Sequence, residues 1–188
     1  MSDDSGASRP DLLTRAQRGD LDAMGALYDQ HHEALFRYIW SRVRDRPLAE
    51  DLTGEVFLRM LGALPRYRPS QAPFRAWLYR VAHNLLVDHY RKESQRVAVP
   101  LDQAPARDDE AVDPGAGIEQ KLTLERVHRA LARLDRTQRE VVSLRFLSGL
   151  SLQEVAAALH KSENAVKALQ HRGLSALRRS LAQEQVLP

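Results

Sequence analysis

The stretch from Ser151 to Arg179, SLQEVAAALHKSENAVKALQHRGLSALRR, predicts two helices joined by a tight turn. Ser151 and Glu154 match a capping box at the start of the first helix, and Ser162 is a good N-cap for the second. Apolar or small residues then recur at helical spacing and are expected to face inward. In the second helix these inward residues are Val166, Leu169, Gly173 and Leu177.

The opposite face of the second helix is polar and basic. It carries Asn164, Lys167, His171 and Arg178, with Arg172 beside them. Two short helices with such an outer face are typical of the helix-turn-helix, whose second helix enters a DNA major groove with its N-terminal residues toward the bases. The same pattern also fits an ordinary solvated helical hairpin, so this stretch alone leaves both interpretations open.

Charge is segregated along the chain, although the net charge is only +3. Residues 66–96 carry seven Lys/Arg and two Asp/Glu, and residues 120–188 carry twelve and six. Between them, residues 97–119 carry one Arg and six acidic residues. Two basic segments around an acidic connector favour a nucleic-acid binder over an evenly solvated surface.

The composition of the 188 residues excludes several classes of protein. A hydrophobic fraction of 43% supports a folded core. The absence of cysteine excludes disulfides and thiolate chemistry and suits a cytoplasmic location. The polar N-terminus MSDDSGASRPD is not a signal peptide, and no run is long enough for membrane insertion. Sparse glycine, with Leu, Ala, Arg and Glu dominant, predicts an all-α fold.

Helical periodicity predicts two small helical domains joined by a flexible acidic linker. We expect a disordered N-terminus at residues 1–10, a first domain at 11–96, a linker at 97–117, a second domain at 118–182 and a tail at 183–188. The linker is rich in Pro, Ala, Gly and acids. Because it could extend ~70 Å at most, the domains could contact DNA sites about two turns apart.

A second candidate DNA-binding segment begins at the loop PRYRPSQAP, Pro65–Pro73, and continues into a helix from Phe74 to about Lys92. Single-stranded DNA is held by positive grooves that carry aromatic stacking partners. The candidate residues are Arg66, Tyr67, Arg68, Arg75, Arg80, Asn84 and Arg91. The alternative is that these arginines are merely solvated.

Other side chains are predicted to have structural roles in the fold. Trp77 is predicted to be a core residue. Asp88 is predicted to pair with Arg91 or Lys92 on the helix surface. Thr137 and Glu140 match a second capping box.

Three fragments in this order resemble one family. They are AEDLTGEVFLRML (Ala49–Leu61), FRAWLYRVAHNLLVDHYRK (Phe74–Lys92) and LDRTQREVVSLRFLSGLSLQEVAAALHKSENAVKALQHRGLSALR (Leu134–Arg178). With the acidic linker between them, they resemble the extracytoplasmic-function (ECF) group of bacterial sigma factors in the sigma-70 family. The resemblance covers most of residues 11–181.

The resemblance implies a transcription initiation factor that is not an enzyme and has no cofactor. It would bind core RNA polymerase and direct it to promoters, assisting their melting. The first domain resembles sigma region 2. Asp51 and Glu55 are expected to contact the β′ clamp helices of the polymerase, and the Pro65–Pro73 loop with the helix after it is expected to bind the single-stranded −10 element. The second domain resembles region 4, which contacts the β flap and the double-stranded −35 element. An anti-sigma factor is a further partner that the resemblance allows.

The residues expected to read the −35 element lie at the start of the second helix of the helix-turn-helix. They are Ser162, Glu163, Asn164, Lys167, His171 and Arg172. Two positions depart from the family. Gly54 stands where many relatives carry a polar helix former, and Leu169 stands where many carry arginine, so no DNA contact is carried over to Leu169.

Other classes of function fit less well. A stand-alone repressor or activator would share the helix-turn-helix, but it would not need the motifs of the first domain. An α-helical enzyme would need a phosphate loop, a nucleophile elbow or a metal signature, and the sequence shows none of these. The histidines, His31, His32, His83 and His89, form no array of ligands, so no metal is expected.

Overall fold

The computed structural model describes residues 9–70, 72–97, 126–127 and 129–184, and within them no strand occurs, which confirms the all-α prediction. The helices are α1 (Arg9–Gln17), α2 (Leu21–Val43), α3 (Arg46–Ala63), α4 (Phe74–Val97), α5 (Arg136–Val142), α6 (Leu152–Leu159) and α7 (Glu163–Glu184). A 3-10 helix (Leu64–Arg66) follows α3, and a π-helix (Ser143–Leu147) follows α5. The predicted linker beyond Val97, most of the predicted N-terminus and the end of the tail lie outside the described residues.

Side-chain caps set most of the helix starts. Asp20 accepts a hydrogen bond from the Ala23 N–H at 3.1 Å and begins α2. The capping box of α6 is confirmed, with both of its hydrogen bonds between Ser151 and Glu154 present. The predicted box at Thr137 and Glu140 is wrong, because Asp135 caps α5 and Glu140 is buried elsewhere.

In the first domain, α2, α3 and α4 enclose a core that includes Leu35, Ile39, Val56 and Leu78. Trp77 packs against this core, as predicted, although it is only half-buried. It packs at the edge of this core beside the Pro65–Pro73 loop, with its ring 4.8 Å from that of Tyr67. This position leaves the indole within reach of a groove at the domain surface.

The second domain is held together by α5 and α7. Val166 is fully buried, and Leu177 packs against a smaller cluster that contains Val142. A Cβ placed on Gly173 would lie 2.8 Å from Val142 Cγ2, so the absence of a side chain there lets the two helices approach closely. The sequence predicted the inward position of Gly173, and the structure confirms it.

The two domains pack against each other, since α4 contacts α6 and α2 contacts the π-helix. One buried cluster runs through both domains, from Leu35 in α2 to Val141 and Val155 in the second domain. Glu140 of the second domain is buried in this contact, since it is only 4% exposed. Its Oε2 lies 2.9 Å from Arg42 Nη2, and its Oε1 lies 3.0 Å from His83 Nδ1.

Tyr38 completes this group, which we call the Glu140 cluster (Tyr38, Arg42, His83 and Glu140). Its hydroxyl donates a hydrogen bond to Glu140. Burial, together with the neighbouring carboxylate, raises the pKa of Tyr38 well above its ordinary value, so the hydroxyl remains a donor. Burial alone would raise the pKa of Glu140, but the His83 contact and the Arg42 charge outweigh it and lower that pKa. Glu140 is therefore ionised at neutral pH.

Two glycine-to-alanine substitutions should change stability in opposite directions. Gly54 lies on the exposed side of α3 with no atom near its missing side chain, so Gly54→Ala should raise the free energy of unfolding by about 0.5–1 kcal/mol. Gly173→Ala should lower it, because crowding Val142 costs about 1–3 kcal/mol. Urea unfolding monitored by circular dichroism measures both changes in the free energy of unfolding. A Gly173→Ala protein as stable as Gly54→Ala would contradict the close packing of α5 and α7.

Candidate nucleic-acid interface

The exposed face of α7 carries the residues predicted to read double-stranded DNA. All six are exposed, namely Ser162, Glu163, Asn164, Lys167, His171 and Arg172. They lie in the first half of α7 or just before it, on one side of the helix. Leu169 instead packs against the core, as its spacing predicted.

Several contacts hold α7 against the rest of the second domain. Ser162 accepts a hydrogen bond from the Ala165 N–H at 3.2 Å and begins the helix. His160 ends α6 in the left-handed conformation, with φ at 52°, which turns the chain toward α7. Arg145 of the π-helix donates to Gln170 at 3.0 Å. These contacts give the exposed face a defined orientation, which base recognition requires.

The Pro65–Pro73 loop is shaped by its own side chains and by α1. Tyr67 is buried, and its hydroxyl donates to the Ala72 carbonyl oxygen at 2.6 Å. Gln17 reaches across from α1 and donates to the carbonyl oxygens of Leu64 and Tyr67 at 3.0 and 2.9 Å. The predicted DNA-binding residue Tyr67 therefore holds the loop in shape in this structure, and its ring packs on Trp77.

A cleft of about 170 Å³ opens between this loop and α4. We call it the loop cleft. Its lining residues are Ala63, Arg66, Tyr67, Arg68, Ala72, Trp77 and Arg80. Four of the seven residues predicted to bind single-stranded DNA thus meet in one place, beside the half-buried indole of Trp77. Positive charge and an aromatic face are the chemistry that holds an unpaired base and its phosphates.

The other three predicted residues do not line the loop cleft. Arg75 donates a hydrogen bond to the Ser148 carbonyl oxygen of the second domain. Asn84 and Arg91 are exposed further along α4. The predicted pairing of Asp88 with Arg91 is confirmed at 3.7 Å. Arg80, although it lines the cleft, also donates to the Ala157 carbonyl oxygen of the second domain at 2.5 Å.

An acidic strip lies on the outer side of α3. Asp51 is exposed, and Glu55 accepts a hydrogen bond from Arg59 at 2.8 Å. Leu58, 66% exposed, lies on the same helix. Carboxylates next to an exposed leucine form a surface suited to another protein with basic and apolar groups.

Sequence reasoning missed two features of the structure. The role of Gln17 had no signal in the sequence, because a single glutamine in a short helix carries no pattern. The buried position of Glu140 was missed because its spacing from Thr137 also matches a capping box, which predicts a residue in the first turn of a helix.

Metal sites and membrane spans were also sought in the described parts of the chain. Those residues hold no group of three or more histidine, aspartate or glutamate side chains placed to bind a metal ion. No helix among them is long and apolar enough to cross a membrane.

Two family models match the chain, one in each domain. Sigma-70 region 2 matches residues 27–96, and Sigma-70, region 4 matches residues 130–179. The chain is 37% identical to the ECF RNA polymerase sigma factor BldN of Streptomyces coelicolor over 180 residues, which are 96% of this chain and 68% of BldN. It is 32% identical to SigX, an ECF RNA polymerase sigma factor of Bacillus subtilis, over 82% of this chain and 81% of SigX.

A solved structure has a similar fold over nearly the whole chain. It is CnrH in complex with the cytosolic domain of CnrY, with a TM-score of 0.72 and 28% identity. The match covers 92% of this chain and 96% of CnrH. The paired domains described above thus have a counterpart among solved structures.

Removing the Tyr67 hydroxyl should weaken the loop. Tyr67→Phe leaves the Ala72 carbonyl oxygen without its donor, so the free energy of unfolding should fall by about 1 kcal/mol. Denaturant unfolding measures this, with Arg66→Ala as the control because Arg66 is exposed in the same loop. If both variants unfold like the parent protein, the Tyr67 hydrogen bond does not support the loop.

Proposed function

Since the chain belongs to the ECF sigma factors of the sigma-70 family, which are transcription initiation factors and not enzymes, we propose that its two domains share the recognition of one promoter. The second domain reads the −35 element, and the first domain binds the −10 element as a single strand and so assists melting. The observation that carries this proposal is the presence, in one chain, of an exposed basic face on α7 and a basic, aromatic loop cleft.

The −35 element is read by the exposed face of α7. Asn164 can bind adenine through two hydrogen bonds, and Arg172 can bind guanine in the same way. Lys167 binds either a base edge or a phosphate. Ser162, Glu163 and His171 complete the contact surface, and all of these side chains are exposed.

The −10 element is held at the loop cleft. Arg66 and Arg68 are exposed there and attract the phosphates, while the half-buried Trp77 offers a ring face to a base. A base leaves the stack only if a pocket offsets a cost of a few kcal/mol. Arg75, Arg80, Asn84 and Arg91 extend the positive surface along α4.

Core RNA polymerase is bound through the acidic strip of α3. Asp51 and Glu55 dock on the β′ clamp helices, and the second domain docks on the β flap. The exposed Asp51 carboxylate, the partly exposed Glu55 and the exposed Leu58 support this assignment, because they present charge and apolar surface together. Because core RNA polymerase works in the cytoplasm, the protein acts there.

An anti-sigma factor is a further partner in this proposal. CnrH, which has a similar fold, was solved in complex with the cytosolic domain of CnrY. A protein of that kind would hold this chain away from polymerase until a signal releases it.

The direct test of the proposal is run-off transcription. Core polymerase from the same organism, mixed with this protein and a library of random promoters, should start transcripts at a defined subset. Core polymerase alone is the control. If the protein binds duplex DNA well by itself and never associates with core polymerase, it acts as a stand-alone regulator.

Arg172→Ala should weaken recognition of the promoters selected from the library by about 1–3 kcal/mol of binding free energy if Arg172 contacts a base. The loss should be largest at promoters with one particular base in the −35 element. Run-off transcription across the selected promoters measures this. Arg178→Ala is the control, because Arg178 is exposed on the same helix almost two turns further along. Unchanged promoter preference would remove Arg172 from the site.

Charge reversal on α3 should lower the affinity for core polymerase without unfolding the protein. The variant is Asp51→Lys with Glu55→Lys, and fluorescence titration with core polymerase gives the dissociation constant. Glu33→Lys is a matched control, because Glu33 also pairs with an arginine four residues later, at 2.8 Å. Equal affinity of the double variant and the parent would exclude this strip as the docking surface.

A further inference from the structure

The Pro65–Pro73 loop is held in part by a side chain from outside it. The Gln17 side-chain amide donates to the Leu64 carbonyl oxygen at 3.0 Å and to the Tyr67 carbonyl oxygen at 2.9 Å. A primary amide has two N–H groups, so one Gln17 side chain can serve both oxygens at once. The Leu64 oxygen also accepts the Tyr67 N–H at 3.1 Å, which closes the 3-10 helix. Gln17 therefore fixes both ends of this single turn relative to α1.

This bridge determines where two arginines of the loop cleft lie. Arg66 and Arg68 directly precede and follow Tyr67, and both line the loop cleft. Tyr67 has left the 3-10 helix and is extended, with φ at −62° and ψ at 138°. Its carbonyl oxygen belongs to the same planar peptide group as the Arg68 N–H. Holding this oxygen therefore sets the direction in which the chain continues, and with it the position of Arg68 relative to Arg66.

Packing alone does not hold the loop against α1. A cavity of about 550 Å³ lies between them, and its lining includes Leu13, Gln17, Pro69 and Phe74. Apolar groups that face a cavity lack contact partners on that side, so van der Waals contact contributes less to the position of the loop. The directed hydrogen bonds from Gln17 therefore contribute more of it.

The Gln17 side chain extends from a helix end that is itself held in place. Ala16 is buried, and Arg15 Nε lies 2.7 Å from Oδ2 of Asp20, which caps α2. Gly19, in the left-handed conformation with φ at 89°, turns the chain between α1 and α2. All of α1 lies before residue 27, where the match to Sigma-70 region 2 begins. This support for the loop therefore comes from a part of the chain that the family match does not include.

We propose that Gln17 is a positioning residue for the −10 element, and that α1 is thereby part of the −10 site. Gln17 acts through the loop, because its two hydrogen bonds hold Arg66 and Arg68 in the arrangement that a separated strand meets. This inference rests on the proposed function, since it takes the loop cleft as the site of the −10 strand. It gives the sequence before residue 27 a role in promoter choice.

Two substitutions remove the N–H donors of Gln17 and keep the length of its side chain. Gln17→Glu places an ionised carboxylate, which has no N–H group, against two carbonyl oxygens. Gln17→Met removes the donors without adding charge. Gln30→Glu is the matched control, because Gln30 is exposed on α2 in the same domain.

Each protein is assembled with core polymerase and mixed with a promoter library in which the −10 and −35 elements are randomised. A barcode in each run-off transcript identifies its promoter, so sequencing the transcripts gives the base preference at each element. Both Gln17 variants should lose base preference at the −10 element and keep the parental preference at the −35 element. Initiation at the promoters that the parent prefers should fall about fivefold, because the loop has lost two hydrogen bonds. Gln30→Glu should behave like the parent.

The base preference separates positioning from a merely structural role. A variant that only folds less well forms less holoenzyme, which lowers transcription from every promoter and leaves both preferences unchanged. An unchanged −10 preference in both Gln17 variants would therefore overturn the inference, even if total transcription falls. Equal loss of preference at both elements would also overturn it, because positioning of the loop affects the −10 element alone.

Two further outcomes are distinguishable from these. If Gln17→Glu fails to assemble with core polymerase, Gln17→Met, which adds no charge to the domain, decides the inference by the same readout. Absence of transcripts from the parent protein would instead refute the proposed function.

Discussion

The buried ion pair between Arg42 and Glu140 lies in the contact between the two halves of this protein and constrains how they are arranged. Each charge would be costly to bury alone, and breaking such a pair by removing one partner costs about 3–5 kcal/mol. Tyr38 and His83 add contacts to the same carboxylate, and these lower the pKa of Glu140 although burial opposes it. The closed arrangement of the two domains thus includes one buried carboxylate that the second domain inserts into the first.

The two proposed DNA-contacting surfaces respond differently to this closure. The face of α7 that carries Asn164 and Arg172 is exposed, so duplex recognition is available in the closed form. The loop cleft is open at Arg66 and Arg68 but loses Arg80 to the second domain. Under the proposed function, a −10 strand in the loop cleft therefore meets Arg66 and Arg68 directly, while Arg80 is already engaged by the second domain.

Patterns with a period or a fixed spacing could be predicted from the sequence. The helix-turn-helix was predicted because Val166, Leu169 and Gly173 recur at helical spacing, and the capping box at Ser151 was predicted because its geometry is local. The contacts that close the molecule could not be predicted, since they join residues about 60 to 100 positions apart. Glu140 was misassigned because its spacing from Thr137 also matches a cap.

The most direct measurement is the coupling energy between Arg42 and Glu140, obtained by denaturant unfolding of the parent protein, Arg42→Gln, Glu140→Gln and the double variant. If this ion pair helps to join the two domains, each single variant should lose about 3–5 kcal/mol of unfolding free energy, and the double variant should lose less than the sum of the two. Additive losses in the double variant would show that the two charges do not stabilise each other. That result would contradict the role of Glu140 in joining the two domains.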